Sequence, residues 1–480
     1  MGKRTKMLRS VWLLIFCFFM SSVIADEKVA VDKMETLAPL PTHWQQSHMK
    51  EPIFGGLVHV IETGNRHKQT IILVHGLGYS GLRDWLDVIP SLESEYHIVA
   101  LDLPGFGESD STSLQLAPQR YAELLKWLIP QFSKQKVIII GHSMGGAISL
   151  RFTSSFPEMV DKLIMVDTAG VLHRTAFVRH MTQMPDRYAF LAKYQEHFNF
   201  VDSAVNKFNR FVNRVSGSVL RKLDKMPDPT LVLMNNPLAQ KYAYKDRPTL
   251  NAAIGLINED FSTALHQFLT PTHIIWGEYD RVAPLRTGEL LQYHLDNAQL
   301  HVVKNAGHVP MKDKTEDFLQ KLSIALRHTP KKAKKYVTEY NGQTADLHCN
   351  KQEDIVYSGV YSSVYINNCR YVTLNKLSAR NLIIENSEVT LDEVNITSDV
   401  VAMDIKNSFV TMTNVSLSGT TALRVEASTV DIAGAKLVSS NDTIEAKADS
   451  IIYLSVSEKV QNGYQQFLHG ISKGNHFYLQ

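Results

Sequence analysis

The chain has 480 residues, 44% of them hydrophobic and 20% charged, with a formal net charge of +2. That length leaves room for more than one core, and the near-balance of charge excludes the broad basic field with which nucleic-acid binders neutralise phosphates. No run of about 18 apolar residues occurs, so no segment reads as a membrane-spanning helix.

The chain begins with Lys3, Arg4, Lys6 and Arg9, then the apolar run Val11 to Met20, then Ser21-Ser22-Val23-Ile24-Ala25. Basic, apolar and small residues in that order predict a cleavable secretory signal over 1–25, cut after Ala25. An uncleaved anchor would need a longer apolar core. Cys17 follows the bulky Leu14-Ile15-Phe16, which does not suit a lipoprotein site. The protein is therefore expected to be exported, to the periplasm or beyond the cell.

Residues 26–52 carry Pro39, Pro41 and Pro52 and read as an extended lead-in. Short apolar runs follow at Leu57–Glu62, Thr70–His75, His97–Leu101, Lys136–Ile140 and Lys162–Val166, with helical patterns at Tyr121–Trp127 and Ala147–Phe156. This alternation predicts an α/β unit over 53–328 with a mostly parallel sheet covered on both faces. In such sheets a site lies beyond the carboxyl ends of the strands.

Gly141-His142-Ser143-Met144-Gly145 sits where one strand ends and a helix begins. The glycines let strand and helix approach closely around a sharp turn, with Ser143 at its apex. A serine hydroxyl is a weak nucleophile until a base takes its proton and a third group orients that base. His308, reached through Asn305-Ala306-Gly307 after the strand Leu300–Val303, is the candidate base. Asp280, in the loop after Trp276, is the candidate acid.

These stretches, with Leu73-Val74-His75-Gly76-Leu77-Gly78 and Asp102-Leu103-Pro104-Gly105-Phe106-Gly107-Glu108-Ser109, resemble the motifs of an α/β-hydrolase. The order Ser, Asp, His is that family's order. The resemblance implies an oxyanion hole from the backbone N–H groups of Leu77 and Met144, with His75 and Gly76 supporting the loop. Rival acids are Glu278, Asp167 at the end of another strand, and Asp102; the family pattern favours Asp280. None of the 19 histidines joins a cluster with metal-ligand spacing, so neither a metal nor another cofactor is expected.

Residues 171–269 interrupt the alternation with helical, aromatic-rich segments that include Phe177, Tyr188, Phe190, Phe198 and Phe208. An insertion here resembles the family's helical cap and implies an enclosed apolar pocket. Residues 329–340, with Pro330 and Lys331-Lys332-Ala333-Lys334-Lys335, read as a solvated basic linker.

From 341 to 480 helical periodicity disappears. Triplets starting at Val372, Val389, Val410, Val430 and Ile452 recur at intervals of 17, 21, 20 and 22 residues. A second series starts at Met403, Leu423 and Ile444, and a third includes Ile396, Leu417 and Leu437. Recurrence near twenty residues with alternating apolar positions predicts an all-β solenoid resembling a parallel β-helix, a β-sandwich being the rival. Cys349 and Cys369 stand one repeat apart, so a disulfide is geometrically reasonable, free thiols being the alternative. Asn395, Asn414 and Asn441 begin glycosylation-type triplets.

The expected activity is that of a serine hydrolase cleaving a small-molecule or lipid ester through an acyl-enzyme. Serine at the apex speaks against the dehalogenase and epoxide-hydrolase branches; thioesterase and C–C hydrolase chemistry share the same residues. A different class of function is a surface module whose solenoid contacts polysaccharide or protein. A carbohydrate-cleaving site on the solenoid finds no compact acidic pair. No nucleic-acid partner is expected.

Overall fold

The computed structural model describes residues 40–78, 81–110, 115–173, 248–266, 268–331, 344–447, 449–474 and 476–479. The signal-like segment, residues 174–247 of the insertion, and 332–340 of the basic linker lie outside the described residues. Among the described residues, no helix is long and apolar enough to cross a membrane.

The N-terminal unit is built on eight strands: β1 (Gln45–Lys50), β2 (Leu57–Gly64), β3 (Thr70–Val74), β4 (His97–Leu101), β5 (Val137–His142), β6 (Val160–Val166), β7 (Thr272–Gly277) and β8 (Ala298–Val303). Their order is β1-β2-β4-β3-β5-β6-β7-β8, antiparallel at β1/β2 and β2/β4 and parallel elsewhere. The sheet thus starts inside the stretch that reads as lead-in. β1 is an edge strand whose side chains are nearly all exposed, so it carries no apolar alternation and only its backbone pairing marks it.

Strands β3, β4, β5 and β7 are buried along their whole length, as a sheet covered on both faces requires. Alternate side chains divide between two cores. Val99, Ile139 and Met165 face α1 (Pro118–Phe132) and α2 (Met144–Ser155). Ile71, Leu73, Ile138 and Ile140 face Trp85 and the residues Phe318 and Leu322 of a C-terminal helix, Thr315–Arg327. The connection from β6 to β7 carries α3 (Pro248–Ile257), and α4 (Leu285–His294) links β7 to β8.

Among the described residues the C-terminal region is all-β, with a ten-stranded and a six-stranded sheet. Its repeating strands pair in parallel, up to and including 451–461; among the described residues of this region the antiparallel pairs join 451–461 to 464–473 and 464–473 to 476–479. The first triplet series stands in register: Val372, Val389, Val410, Val430 and Ile452 are successive partners. Left-handed residues turn the chain after each triplet, at Lys376, Glu393, Asn414, Gly434 and Val456. Serines add a hydrogen-bonded column in which Cys369, Ser387 and Ser408 N–H donate to Oγ of Ser387, Ser408 and Ser428 at 2.9–3.0 Å. Cys349 and Cys369 form a disulfide with Cα atoms 6.6 Å apart. Cys349 pairs in register with Ile366, so the bridge joins a strand to the turn beyond the next strand.

The two units meet along α4. Arg286 donates to Asp431 Oδ1 at 2.8 Å, and His294 Nε2 lies 3.2 Å from Gly434 O. Ala433 and Val456 join the apolar core of the N-terminal unit.

One buried polar group closes that unit at the far end of the sheet. Lys162 Nζ donates to the carbonyls of Ala325, Leu326 and His328 at 2.6–3.0 Å, satisfying the last turn of the helix Thr315–Arg327. His273 Nε2 donates to His328 O at 3.0 Å, and its Nδ1 lies 2.9 Å from His301 Nε2. Burial, against the help of the His328 carbonyl, pushes His273 down from 6.5 to about 4, with His301 and Lys162 adding to the fall. As pH drops through this window the unfolded chain takes up a proton that the folded chain refuses, so stability falls. His273 is expected to account for about 2 kcal/mol of the loss between pH 7 and pH 5. In urea unfolding at both pH values, His273→Leu should lose correspondingly less than wild type; equal losses would assign the effect elsewhere.

Candidate active site

The site grows from the end of β5. Ser143 has φ of 52°, a left-handed conformation in a residue with a side chain, and it is held there by its surroundings. Its N–H donates to Val166 O of the neighbouring strand at 2.9 Å, and its carbonyl accepts Gly146 N–H at 3.0 Å. A Cβ on Gly145 would overlap the carbonyl oxygens of Val74 and His75, and one on Gly141 would overlap Gly145 O. Glycine at these two positions is therefore a packing requirement.

His308 reaches the serine on the loop after β8, where Asn305 takes φ of 56°. His308 Nε2 lies 2.9 Å from Ser143 Oγ, and Nδ1 lies 2.8 Å from Asp280 Oδ2. An ionised carboxylate only accepts, so Nδ1 carries the proton and Nε2 offers its lone pair to the serine hydroxyl. Asp280 Oδ1 accepts the N–H groups of Val282 and Ala283 at 2.7 and 3.0 Å. Burial works to raise the Asp280 carboxyl, but His308, Asp167 and the Ala283 N–H together hold it below the usual range. The arrangement can deprotonate the serine hydroxyl as it attacks and stabilise the imidazolium that results.

Met144 opens α2, so its N–H has no acceptor within the helix. The Gly76 backbone passes so close to the elbow that a Cβ there would lie 3.0 Å from Ser143 Cβ. This brings the His75–Leu77 loop against the serine. His75 is fully buried; its Nε2 accepts Leu103 N–H at 2.9 Å, and Nδ1 donates to Gly76 O at 2.6 Å.

The rival acids lie elsewhere in role. Glu278 accepts Asn305 N–H at 2.9 Å, bracing the histidine loop. Asp102 lies 2.7 Å from His59 and accepts the N–H groups of Leu82 and Glu108, ordering the proline-glycine turn. Asp167 is fully buried beside Asp280.

Sequence reasoning missed Asp84. It sits on the short turn Gly81–Trp85, where Oδ2 lies 3.3 Å from His142 Nδ1 and accepts Gly76 N–H at 3.2 Å. Lys312 lies 3.8 Å from its other oxygen. His142 Nε2 in turn donates to the carbonyl of His308 at 2.8 Å. One carboxylate therefore ties together the oxyanion-type loop, the elbow and the histidine loop. Burial opposes ionisation of Asp84, but His142, His75 and Lys312 hold its carboxyl far below the usual range. A lone Asp before a Trp gives no spacing signal from which this could be read.

Two groups among the described residues bring potential metal-ligand atoms within 4.8 Å of one another: Asp167, Asp280 and His308, and His48, His59 and Glu108. In the second, both His59 nitrogens are already engaged, by Asp102 and by Gln46 at 3.3 Å.

The sequence pattern of the alpha/beta hydrolase fold matches residues 69–315, just over half of the chain. The chain belongs to the α/β-hydrolase family. An uncharacterized protein of Mycobacterium tuberculosis is 28% identical over 261 residues, covering 52% of this chain and 72% of the relative. The 2-hydroxy-6-oxononadienedioate/2-hydroxy-6-oxononatrienedioate hydrolase 1 of Pseudomonas putida is 27% identical over 267 residues, covering 54% of this chain and 89% of its own. Among solved structures, an esterase from Exiguobacterium antarcticum is 20% identical, covering 59% of this chain and all of its own, with a TM-score of 0.43. The C-terminal region lies outside the matched residues of the hydrolase fold.

Asp84 generates a direct test. Asp84→Ala is expected to slow labelling of Ser143 by a fluorophosphonate roughly 10- to 100-fold, because a misplacement of about 1 Å costs that much. Circular dichroism should match wild type. An unchanged labelling rate would remove Asp84 from the site.

Proposed function

We propose that this hydrolase is an exported serine esterase that cleaves carboxylic esters through an acyl-enzyme. The reading rests on one observation above all: continuous hydrogen bonds of 2.9 and 2.8 Å from Ser143 through His308 to Asp280. Ser143 attacks the ester carbonyl while His308 accepts its proton, and Asp280 orients and stabilises the imidazolium. The N–H groups of Leu77 and Met144 receive the oxyanion. His308 then returns the proton to the departing alcohol, and water, activated in the same way, releases the acid.

Export follows from the basic-apolar-small layout of residues 1–25 and accords with a disulfide between Cys349 and Cys369. The C-terminal region is a β-solenoid in this reading, supported by parallel pairing at a repeat near twenty residues. C–C bond hydrolysis is the second reading, favoured by the likeness to the Pseudomonas putida hydrolase.

Hydrolysis of p-nitrophenyl esters from acetate to palmitate, beside Ser143→Ala, tests the first reading. Turnover is expected, and at least 1,000-fold less in the variant, in line with the loss of about 10⁶ that removing a nucleophile can cause. Turnover of 2-hydroxy-6-oxononadienedioate without ester turnover would replace it with the second. A folded protein whose Ser143 takes up no fluorophosphonate would overturn both.

A further inference from the structure

Asp167 is the buried acid that this mechanism leaves unused. It follows the last residue of β6, with φ of 43° and no exposed surface. Its Oδ1 accepts Gly277 N–H at 2.9 Å, at the start of the loop that carries Asp280. Its Oδ2 is buried and meets no hydrogen-bond donor among the described residues. Oxygens of Asp167 and Asp280 and a ring nitrogen of His308 all lie within 4.8 Å of one another.

Two ionised carboxylates this close in a buried site repel strongly. His308 makes its hydrogen bond with Asp280, so it leaves Asp167 uncompensated. A single proton between the two acids converts the repulsion into a charge-assisted hydrogen bond. The donors decide where it resides. Asp280 already accepts from Val282, Ala283 and His308, all of which favour its charged form, whereas Asp167 has one N–H. Burial, followed by the charge of Asp280 and the hydrogen bond to it, accordingly pushes Asp167 far above the ordinary carboxyl range; Asp313 adds to this and Gly277 N–H opposes it.

We propose that Asp167 stands as a neutral carboxylic acid whose Oδ2–H donates to Asp280, so that the pair carries one negative charge and Asp167 positions the group that orients His308. The inference rests on the Ser143-Asp280-His308 reading for its catalytic consequence, and on the geometry alone for the proton.

Infrared difference spectra of wild type minus Asp167→Asn at pH 7 test the proton without any substrate. The carbonyl stretch of a protonated carboxyl group is expected in wild type and absent in the variant. The subtraction cancels other acids raised by burial, such as Glu289 at about 7 and Asp392 at about 6. No such band would overturn the proposal.

Kinetics test the positioning. Asp167→Ala should lower kcat about tenfold with KM little changed, the scale of losing one hydrogen bond to a charged group. Asp167→Asn, which keeps a neutral donor, should restore most of that loss with the acid limb of kcat/KM at the wild-type pH. A limb displaced downward by about one unit in Asp167→Asn would mean that an ionised carboxylate had been removed, and would overturn the proposal. Wild-type kcat in Asp167→Ala would overturn the positioning role. Should the alanine variant fail to fold, the spectrum and Asp167→Asn decide. Fluorophosphonate labelling of Ser143, run in parallel, separates failure of the hydrolase reading from failure of this one.

Discussion

The left-handed turn at Ser143 is the constraint on which the site depends. A residue with a side chain in that conformation costs on the order of 1–3 kcal/mol and persists only where its surroundings over-determine it. Here they do. The serine N–H is tied to β6, the helix that follows is pressed against β3, and Gly141 and Gly145 occupy positions where a methyl group would overlap backbone. Two apolar cores, one on each face of the sheet, keep the strands in the register that imposes this crowding. The serine is consequently delivered to a fixed point, and the histidine and acid loops need only be brought to it.

They are brought there by buried carboxylates, each hydrogen-bonded to an imidazole. Asp102 with His59, Asp84 with His142, and Asp280 with His308 form three carboxylate–imidazole contacts at 2.7–3.3 Å. Each carboxylate also accepts at least one backbone N–H. Charges in such places are tolerated only when paired and hydrogen-bonded, so each pair fixes the segments that supply its members. His142 extends the logic, because its second nitrogen holds the backbone of His308 itself.

The C-terminal region manages charge differently. Along its half-buried columns Glu385, Lys406 and Asp404 neighbour one another, as do Asp404, Arg424 and Glu445. Pairs that solvent still reaches contribute little stability, but alternation of sign prevents a strong field of either polarity on this face. The ten-stranded sheet, at Asp431 and the turn at Gly434, is held by Arg286 and His294 of α4, the helix entered directly from the Asp280 loop. The acid loop is thus continuous with the contact between the units.

Much of this was legible in the chain. The alternation of short apolar runs with helical patterns specified the α/β unit, because a doubly covered strand must be apolar throughout. The glycine pattern specified the elbow, because sterics at a sharp turn are local. The twenty-residue recurrence specified the parallel register of the C-terminal strands, because identical rows stack on identical rows. What the chain could not reveal depended on distance in space. β1 has no apolar pattern because its pairing is through backbone alone. Asp84 and Asp167 lie 224 and 141 residues from His308 in the sequence; nothing in its neighbours marks Asp84, and the strand end that makes Asp167 a rival acid does not place it beside Asp280. Cys349 and Cys369 were separated by one repeat, yet only folding decided that their bridge runs from a strand to a turn. Sequence by itself determined the chemistry that needs local backbone geometry; tertiary structure decided which buried carboxylate meets which imidazole, because that choice is set by packing between segments the chain does not place side by side.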